Sequence, residues 1–189
     1  MKFLKSLPAN RRAYNDFEWP AEAGAIVEAP DWNPKPACGG GLHGLVDGRG
    51  DVGLLCKDAD AIWYAFESVS SAGEPSDAEA VVINGDKGKC RRAMIRVVGT
   101  REAAVQWLVA KGCTGVHFST ATAGDRGTAT AGYGGTATAG MGGTLILCRW
   151  DEKRYKYSVA EVGENGIKPG IAYRLNADGL FVEAMNLLG

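Results

Sequence analysis

Small apolar and polar positions alternate most regularly between residues 119 and 146, where an eight-residue unit repeats. The unit is Gly-Thr-Ala-Thr-Ala-Gly-x-x, with copies starting at Ser119 (in place of glycine), Gly127, Gly135 and Gly143. A strand with this alternation has its threonines on one side and its alanines on the other. The glycines allow a tight corner, because a positive φ costs them nothing. The pattern predicts one short strand and one turn per octad.

Two such octads predict one coil of a flattened β-solenoid, with alanines inside and threonine ladders outside. Repeats of this kind need neighbours to bury their surface, so fewer than two coils must be capped by the flanking segments. The alternative interpretation is a flexible Gly/Thr/Ala linker. The strict register, which runs directly into the apolar segment 144–150, favours the solenoid.

Strand-like patterns follow the repeat at 144–150, 155–162, 171–175 and 180–184. Turn residues separate them, and Asp178-Gly179 between two alternating runs predicts a hairpin. We therefore expect a C-terminal β-meander that caps the last coil.

Two helices are predicted before the repeat. Residues 58–71 carry Ile62, Phe66 and Val69 at the spacing of one helical face. Residues 100–111 start with Thr100 as a cap and stop at a glycine.

Strands are predicted at 80–84 and 92–98, with 84–88 as the hairpin loop between them. Residues 32–53 are rich in glycine and predict a loop-dominated segment. The expected fold class is α+β, with an α+β domain at 1–115, a β-solenoid at 116–148 and a β-cap at 149–189.

Composition narrows the class of protein. Of 189 residues, 46% are apolar and the net charge is −1, which excludes wholesale disorder and provides no positive field for nucleic acid or an anionic membrane. No apolar run is long enough to span a bilayer, and the basic start lacks the apolar stretch of a secretory signal. Five cysteines without close pairing indicate reduced thiols in a cytoplasm.

Candidate chemistry outside the repeat concentrates in one loop, Cys38-Gly39-Gly40-Gly41-Leu-His43. Glycines let the backbone approach a ligand closely, so this loop is a candidate for phosphate binding, a catalytic imidazole or a metal ligand. The alternative is a turn-rich loop packed against the domain, with His43 bonded to backbone. The loop matches neither established phosphate-binding glycine pattern.

Metal and thiol chemistry have weaker support. The pairs Cys38/His43 and Cys113/His117 have spacings that zinc could use, but there is no Cys-x-x-Cys motif, so we predict no metal. Nothing near a cysteine in the sequence activates a thiol. We interpret the basic run 87–92 as a solvated hairpin tip.

The threonine face is a second candidate surface. Regular threonines on a flat β-face are typical of ice-binding solenoids, and the run Gly-Tyr-Gly-x-Thr-x-Thr-Ala-Gly resembles bacterial ice-nucleation repeats. The candidate binding positions on this face are Thr120, Thr122, Thr128, Thr130, Thr136 and Thr138.

The order of these parts resembles an uncharacterised family of bacterial and phage proteins. That family has an N-terminal Cys-x-x-Gly-Phe-His element, whose counterpart here is 38–43 with one extra residue and Leu42 for phenylalanine. A short octad-repeat solenoid and a strand-rich end follow, so the resemblance covers about residues 38–184. It implies the fold and a phage or prophage setting, and hence the cytoplasm of a bacterial host.

A second resemblance concerns His43. The run Gly41-Leu-His43-Gly, followed by Asp58-Ala-Asp-Ala-Ile-Trp-Tyr-Ala, is similar to ADP-ribosyltransferase-like folds, where a histidine precedes a helix that lines an NAD cleft. This resemblance implies an enzyme that uses the glycine-rich loop and His43.

We predict a non-enzymatic protein-binding or assembly module that acts on a host or virion protein or on a second copy of itself, with no cofactor. The chain has two histidines and no recognisable constellation of catalytic groups. A flat threonine face and open β-edges suit association. The alternatives are the NAD-using enzyme and the ice-binding surface.

Overall fold

The computed structural model describes residues 1–85 and 87–184, which form a mainly β structure with one α-helix and three sheets. The chain divides into two compact units, Met1–Cys113 and Thr114–Gly189. The predicted division of the C-terminal part at residue 148 stays a prediction. No helix in the described ranges is long and apolar enough to cross a membrane.

Seven antiparallel strands form the sheet of the first unit. Their order across the sheet is β2-β7-β4-β1-β3-β6-β5, so the first strand of the chain is central. Two short 3-10 turns, Tyr14–Asp16 and Val52–Leu54, lie in the connections. The strands are β1 (Lys2–Leu7), β2 (Ile26–Glu28), β3 (Leu42–Val46), β4 (Ile62–Ser68), β5 (Ala80–Asn84), β6 (Lys87–Cys90) and β7 (Arg92–Gly99).

An aromatic core fills one side of this sheet. Phe3 of β1 stacks on Phe66 of β4, with ring centroids 4.8 Å apart. Trp19, from the loop after β1, meets the rings of Tyr64 and Phe66 edge-on at 5.3 and 5.1 Å. All four side chains are almost fully buried. They hold β1 and β4 together beside the site described below.

The helix predicted at 100–111 is confirmed. It forms α1 (Arg101–Ala110), and the hydroxyl of Thr100 accepts a hydrogen bond from the N–H of Ala103 at 3.2 Å, as an N-cap does. Ala104 and Leu108 are completely buried, and the helix packs against β4, β7 and β1.

The helix predicted at 58–71 is wrong. Its central residues form β4, which pairs with β1 along six residues and with β7 on its other side. The same stretch that carries helical spacing also alternates, because Tyr64 and Phe66 both enter the core. Tryptophan, tyrosine and phenylalanine favour strands, and two sheet neighbours satisfy the backbone, so the tertiary pairing decides.

The predicted hairpin between 80–84 and 92–98 is also wrong. The segment 80–84 is β5, but its antiparallel partner is β6. The segment 92–98 lies in β7, which pairs with β2 and β4. The segment 32–53, predicted as loop-dominated, contains β3. Both β3 and β6 contain glycine and basic residues in place of clean apolar alternation, so their patterns did not indicate strands.

The second unit contains two sheets. One has four strands in the order β14-β13-β10-β8, and the other has three in the order β12-β11-β9. The strands are β8 (Thr120–Thr122), β9 (Thr128–Tyr133), β10 (Thr136–Thr138), β11 (Thr144–Trp150), β12 (Tyr155–Glu161), β13 (Tyr173–Leu175) and β14 (Phe181–Glu183).

The octads pair in parallel, two units apart. β10 lies parallel to β8 with Thr136 opposite Thr120, and β11 lies parallel to β9 with Thr144 opposite Thr128. Each pair therefore joins residues sixteen positions apart. One strand per octad, with alanine and threonine on opposite sides, is confirmed: four strand or turn alanines are buried while the paired threonines are exposed or half-buried. The buried ones are Ala129, Ala131, Ala137 and Ala139.

The strands after the repeat are confirmed, but the meander is wrong. β11 and β12 form one antiparallel pair, and β13 and β14 form another, with the Asp178-Gly179 turn between them as predicted. However, β12 and β13 belong to different sheets. β13 pairs with the octad strand β10, so these strands extend the octad sheets.

Candidate functional site

The first unit contains a cavity of about 620 Å³ that is lined by the glycine-rich loop. Three residues with basic side chains contribute to its lining: Lys5, His43 and Lys87. Among the described residues, Asp31 is the one carboxylate in the lining. Most of the remaining wall is apolar and includes Phe17, Trp19, Leu42, Leu45, Leu54 and Leu55.

The order of the sheet brings the three basic residues to one cavity. β1, β3 and β6 are consecutive neighbours in the sheet, although Lys5, His43 and Lys87 are far apart in sequence. Leu45 of β3 lies opposite both Leu4 of β1 and Lys87 of β6. This antiparallel register places Leu4, Leu45 and Lys87 side by side on the sheet.

The glycines of the loop are required by its own folding. Gly39, Gly40 and Gly41 all have positive φ, at 91°, 61° and 143°. A Cβ on Gly40 would lie 2.6 Å from the carbonyl oxygen of Asp31, which no side chain tolerates. The N–H of Gly41 already donates to the Asp31 carboxylate at 3.1 Å. This N–H is therefore occupied, and the glycines act chiefly by permitting the tight fold.

Lys89 holds the loop in place. Its side chain is almost completely buried, and its Nζ donates to the carbonyl oxygens of Ala37 at 2.9 Å and Gly39 at 2.7 Å. The same Nζ lies 5.8 Å from the ring centroid of Trp32. Burial lowers the pKa of Lys89. The loop is thus packed on the sheet, as the alternative interpretation of the sequence expected, and it walls the cavity as well.

Lys5 has an unusual environment for an ammonium group. It lies opposite Tyr64 in the β1–β4 pair, and its Nζ is 5.2 Å from the ring centroid of Trp19. Within the described part of the chain, no hydrogen-bonding or ion-pair partner faces this Nζ. Burial, followed by the nearby charge of Lys87, lowers the pKa of Lys5 to about 8. At pH 7, Lys5 is therefore a neutral amine in roughly a tenth of the molecules.

His43 contributes a buried polar atom without a partner. It lies opposite Lys89 in the β3–β6 pair, and no described residue hydrogen-bonds its buried Nε2. Burial lowers its pKa to about 4, helped by the charges of Lys87 and Lys5 and opposed by a hydrogen bond to the Gly41 backbone. The imidazole is therefore neutral at pH 7. A buried polar atom of this kind is costly unless a ligand or water satisfies it.

Lys87 faces the exposed end of the loop. Its Nζ lies 3.1 Å from the Sγ of Cys38. None of the ion pairs found in residues 1–85 and 87–184 involves Lys87. Lys87 therefore provides a second positive group in the lining of the cavity, and positive groups attract anions.

The remaining candidates for metal binding are cysteine sulfurs and histidine nitrogens. Within the described ranges, no group of three histidine, cysteine or acidic side chains could hold a metal ion. None of the five cysteines forms a disulfide. Cys113 contacts Asp47 at 3.6 Å, and the Nδ1 of His117 accepts a hydrogen bond from the N–H of Tyr133 at 3.0 Å.

The six candidate threonines lie on β8, β9 and β10 of the second unit. Thr120, Thr122 and Thr128 are exposed, and the other three are half-buried. The hydroxyls of Thr136 and Thr120, which lie opposite each other, form a hydrogen bond of 3.2 Å. The predicted ladder of hydroxyls is therefore present between these two strands.

Sequence analysis missed Lys5, Lys87 and Trp19 as site residues. A signal for Lys5 was available, because it interrupts an otherwise strand-like run, Phe3 to Leu7, at a position with the same parity as the core residues. Lys87 was assigned to a solvated tip because its hairpin was placed against the wrong strand.

Comparison with protein-family models, with curated proteins and with solved structures found no match. The resemblance to a bacterial and phage family therefore stays a prediction. The second resemblance relied on a helix after His43, and in that segment residues 62–68 form β4.

Proposed function

We propose that the first unit binds a small organic anion with an apolar body in the cavity behind the glycine-rich loop. The observation that carries this proposal is the combination of a largely apolar wall with two lysines, Lys5 and Lys87, that have no carboxylate partner among the described residues. Pockets of about 300–1,000 Å³ with a few convergent polar groups are typical ligand sites.

The charges in the lining of the cavity indicate that the ligand is an anion. The one described carboxylate in the lining, that of Asp31, is engaged by the Gly41 N–H. Lys5 and Lys87 therefore leave a positive excess in a wall of low polarity, where an anion is held more strongly than in water. The aromatic face of Trp19 suits a flat apolar body.

Calorimetry on the full chain tests this proposal. The probes are benzoate, phenyl phosphate, inorganic phosphate, NAD and benzyl alcohol, which has the shape of benzoate without its charge. We expect benzoate or phenyl phosphate to bind at least about tenfold more tightly than benzyl alcohol, since a hydrogen bond to a charged group contributes about 1.5 kcal/mol or more. Lys87→Gln should remove most of that preference.

Lys57→Gln is the matched control, because Lys57 lies in the same unit, is exposed and does not line the cavity. Its affinity for the anions should equal that of the wild type. Equal binding of benzyl alcohol, or failure of every anion to bind, would contradict the proposal. Binding of NAD that is lost in His43→Ala would favour the enzyme alternative.

For the second unit, we propose a short β-solenoid that associates with a second copy of the chain or with another protein. Parallel pairing at a separation of two octads and the inward alanines support this interpretation. β8 and β9 are the last strands of their sheets. On the side that faces β10, the carbonyl of Ser119 accepts from the N–H of Thr136, and the N–H of Ala123 donates to the carbonyl of Thr138. Backbone groups of a strand alternate in direction, so the N–H of Thr122 points away from β10.

Sedimentation velocity over a wide concentration range tests this association. Thr122→Pro removes an outward N–H, and Thr122→Val keeps it while removing the hydroxyl. Self-association that is weakened by proline alone would support edge pairing. A monomer at every concentration would contradict self-association, and association unchanged by proline would contradict the edge.

A further inference from the structure

Anion binding accounts for the positive charge of Lys87. It does not account for Lys5, which lies on the core side of the central strand β1. Lys5 alternates with Phe3 and Leu7, which both belong to the aromatic core. Its Nζ lies over the ring of Trp19 and lines the cavity. A lysine desolvated in this way beside another cation is the typical environment of an amine nucleophile.

We propose that the amine of Lys5 captures the carbonyl group of a small aldehyde or ketone that also carries an anionic group, and forms an imine with it in this cavity. The proposal rests on the anion-binding function above and names its ligand class. The carbonyl end reaches Lys5 while the anionic end is held by Lys87, which enters the same cavity from β6.

The step balances without an oxidant or a reductant. The neutral Nζ of Lys5 attacks the carbonyl carbon, and the π bond of the carbonyl becomes a pair of electrons on oxygen. The nitrogen then loses its two protons, the oxygen gains both and leaves as one molecule of water, and a C=N bond replaces the C=O bond. The overall change is amine plus carbonyl compound to imine plus water.

The largely apolar wall of the cavity limits the access of water, which would otherwise hydrolyse the imine.

Reductive trapping on the full chain tests this proposal. The protein is incubated at pH 7 with 4-carboxybenzaldehyde and sodium cyanoborohydride, which reduces an imine to a stable secondary amine, and labelled lysines are identified by peptide mass mapping. A pKa of about 8 in place of 10.5 gives Lys5 an about 300-fold larger neutral fraction at pH 7. Because lower basicity also lowers nucleophilicity, we expect labelling of Lys5 at least about tenfold faster than that of exposed Lys57.

Two variants and one neutral probe define the ligand class. Lys5→Met should abolish the preferred label while leaving labelling of Lys57 unchanged. Lys87→Gln should slow labelling by 4-carboxybenzaldehyde more than labelling by neutral 4-methylbenzaldehyde. Equal rates for the two aldehydes in the wild type would overturn the requirement for an anionic group.

Failure of the carbonyl chemistry and failure of anion binding are distinguishable. Benzoate has the anionic end without the aldehyde, and its binding is measured separately by calorimetry. Benzoate binding together with Lys5 labelling no faster than that of Lys57 would overturn the imine proposal and leave anion binding intact. Absence of both would overturn both proposals.

Discussion

Replacement of Lys5 by methionine should stabilise the first unit below pH 8. In the folded chain the pKa of Lys5 is lowered from 10.5 to about 8, so the folded state holds this proton less tightly than the unfolded chain does. A difference of that size corresponds to at most roughly 3 kcal/mol of unfavourable free energy. Partial access of water to the cavity reduces it, and we expect Lys5→Met to raise the free energy of unfolding by about 1–2 kcal/mol at pH 6.

The stability advantage of the methionine variant should depend on pH. Below pH 8 both states carry the proton, and the folded state bears the full penalty. Between pH 8 and 10.5 the folded state has lost the proton and the unfolded state has kept it, so the stability of the wild type rises with pH. The advantage of the methionine variant should therefore be largest at pH 6 and should fade by about pH 10.

Urea unfolding followed by tryptophan fluorescence measures this difference. Four of the five tryptophans, including Trp19, lie in the first unit, so the signal reports mainly on that unit. Lys57→Met is the control, because the same change at an exposed position should alter stability by less than about 0.5 kcal/mol. A methionine variant that is less stable at pH 6, or whose gain is unchanged at pH 10, would refute the argument.

Three further outcomes are expected. Gly40→Ala should lower the free energy of unfolding by about 2 kcal/mol in thermal melts, because a positive φ and a close contact with Asp31 both oppose a Cβ. Ala137→Leu should lower it by about 1–3 kcal/mol, because Ala137 is fully buried between the octad sheets, whereas Thr136→Val should change it little. In proton NMR, the ring of His43 should titrate near pH 4, and a midpoint near 6.5 would contradict its burial.

The octad region shows how far a periodic pattern reaches. The alternation of threonine and alanine predicts which side of each strand is buried. The eight-residue repeat length predicts that each octad has its strand and its turn at the same positions. The pairing of Thr136 with Thr120 follows from these two facts once the strands stack. The same local information did not show that β12 and β13 separate into different sheets, because sheet membership depends on contacts beyond the repeat.

The segment 62–68 shows where the pattern fails. Its apolar residues satisfy a helical period and a strand period at once, so local sequence does not choose between them. Pairing with β1, about sixty residues earlier, makes the choice. The aromatic residues Tyr64 and Phe66 are then fixed on the core side of the sheet, where they pack against Trp19.

The candidate site was predictable only in part for the same reason. The glycine-rich loop and His43 stand out by composition, and both line the cavity. Lys5 and Lys87 become site residues because β1, β3 and β6 are neighbours, and that order arises from non-local pairing. A lysine within a strand is otherwise indistinguishable from one on a solvated face.

Stability and function make opposite demands at Lys5. A methionine there would fill a similar volume and remove the penalty for a poorly solvated ammonium group. Natural sequences depart from the locally favourable residue mainly where a site requires it. If Lys5→Met proves more stable and also loses both anion preference and aldehyde labelling, the lysine is retained for chemistry rather than for folding. If the variant is more stable and binds anions as well as the wild type does, the positive charge that holds the anion belongs to Lys87, and the part of Lys5 is confined to the carbonyl end of the ligand.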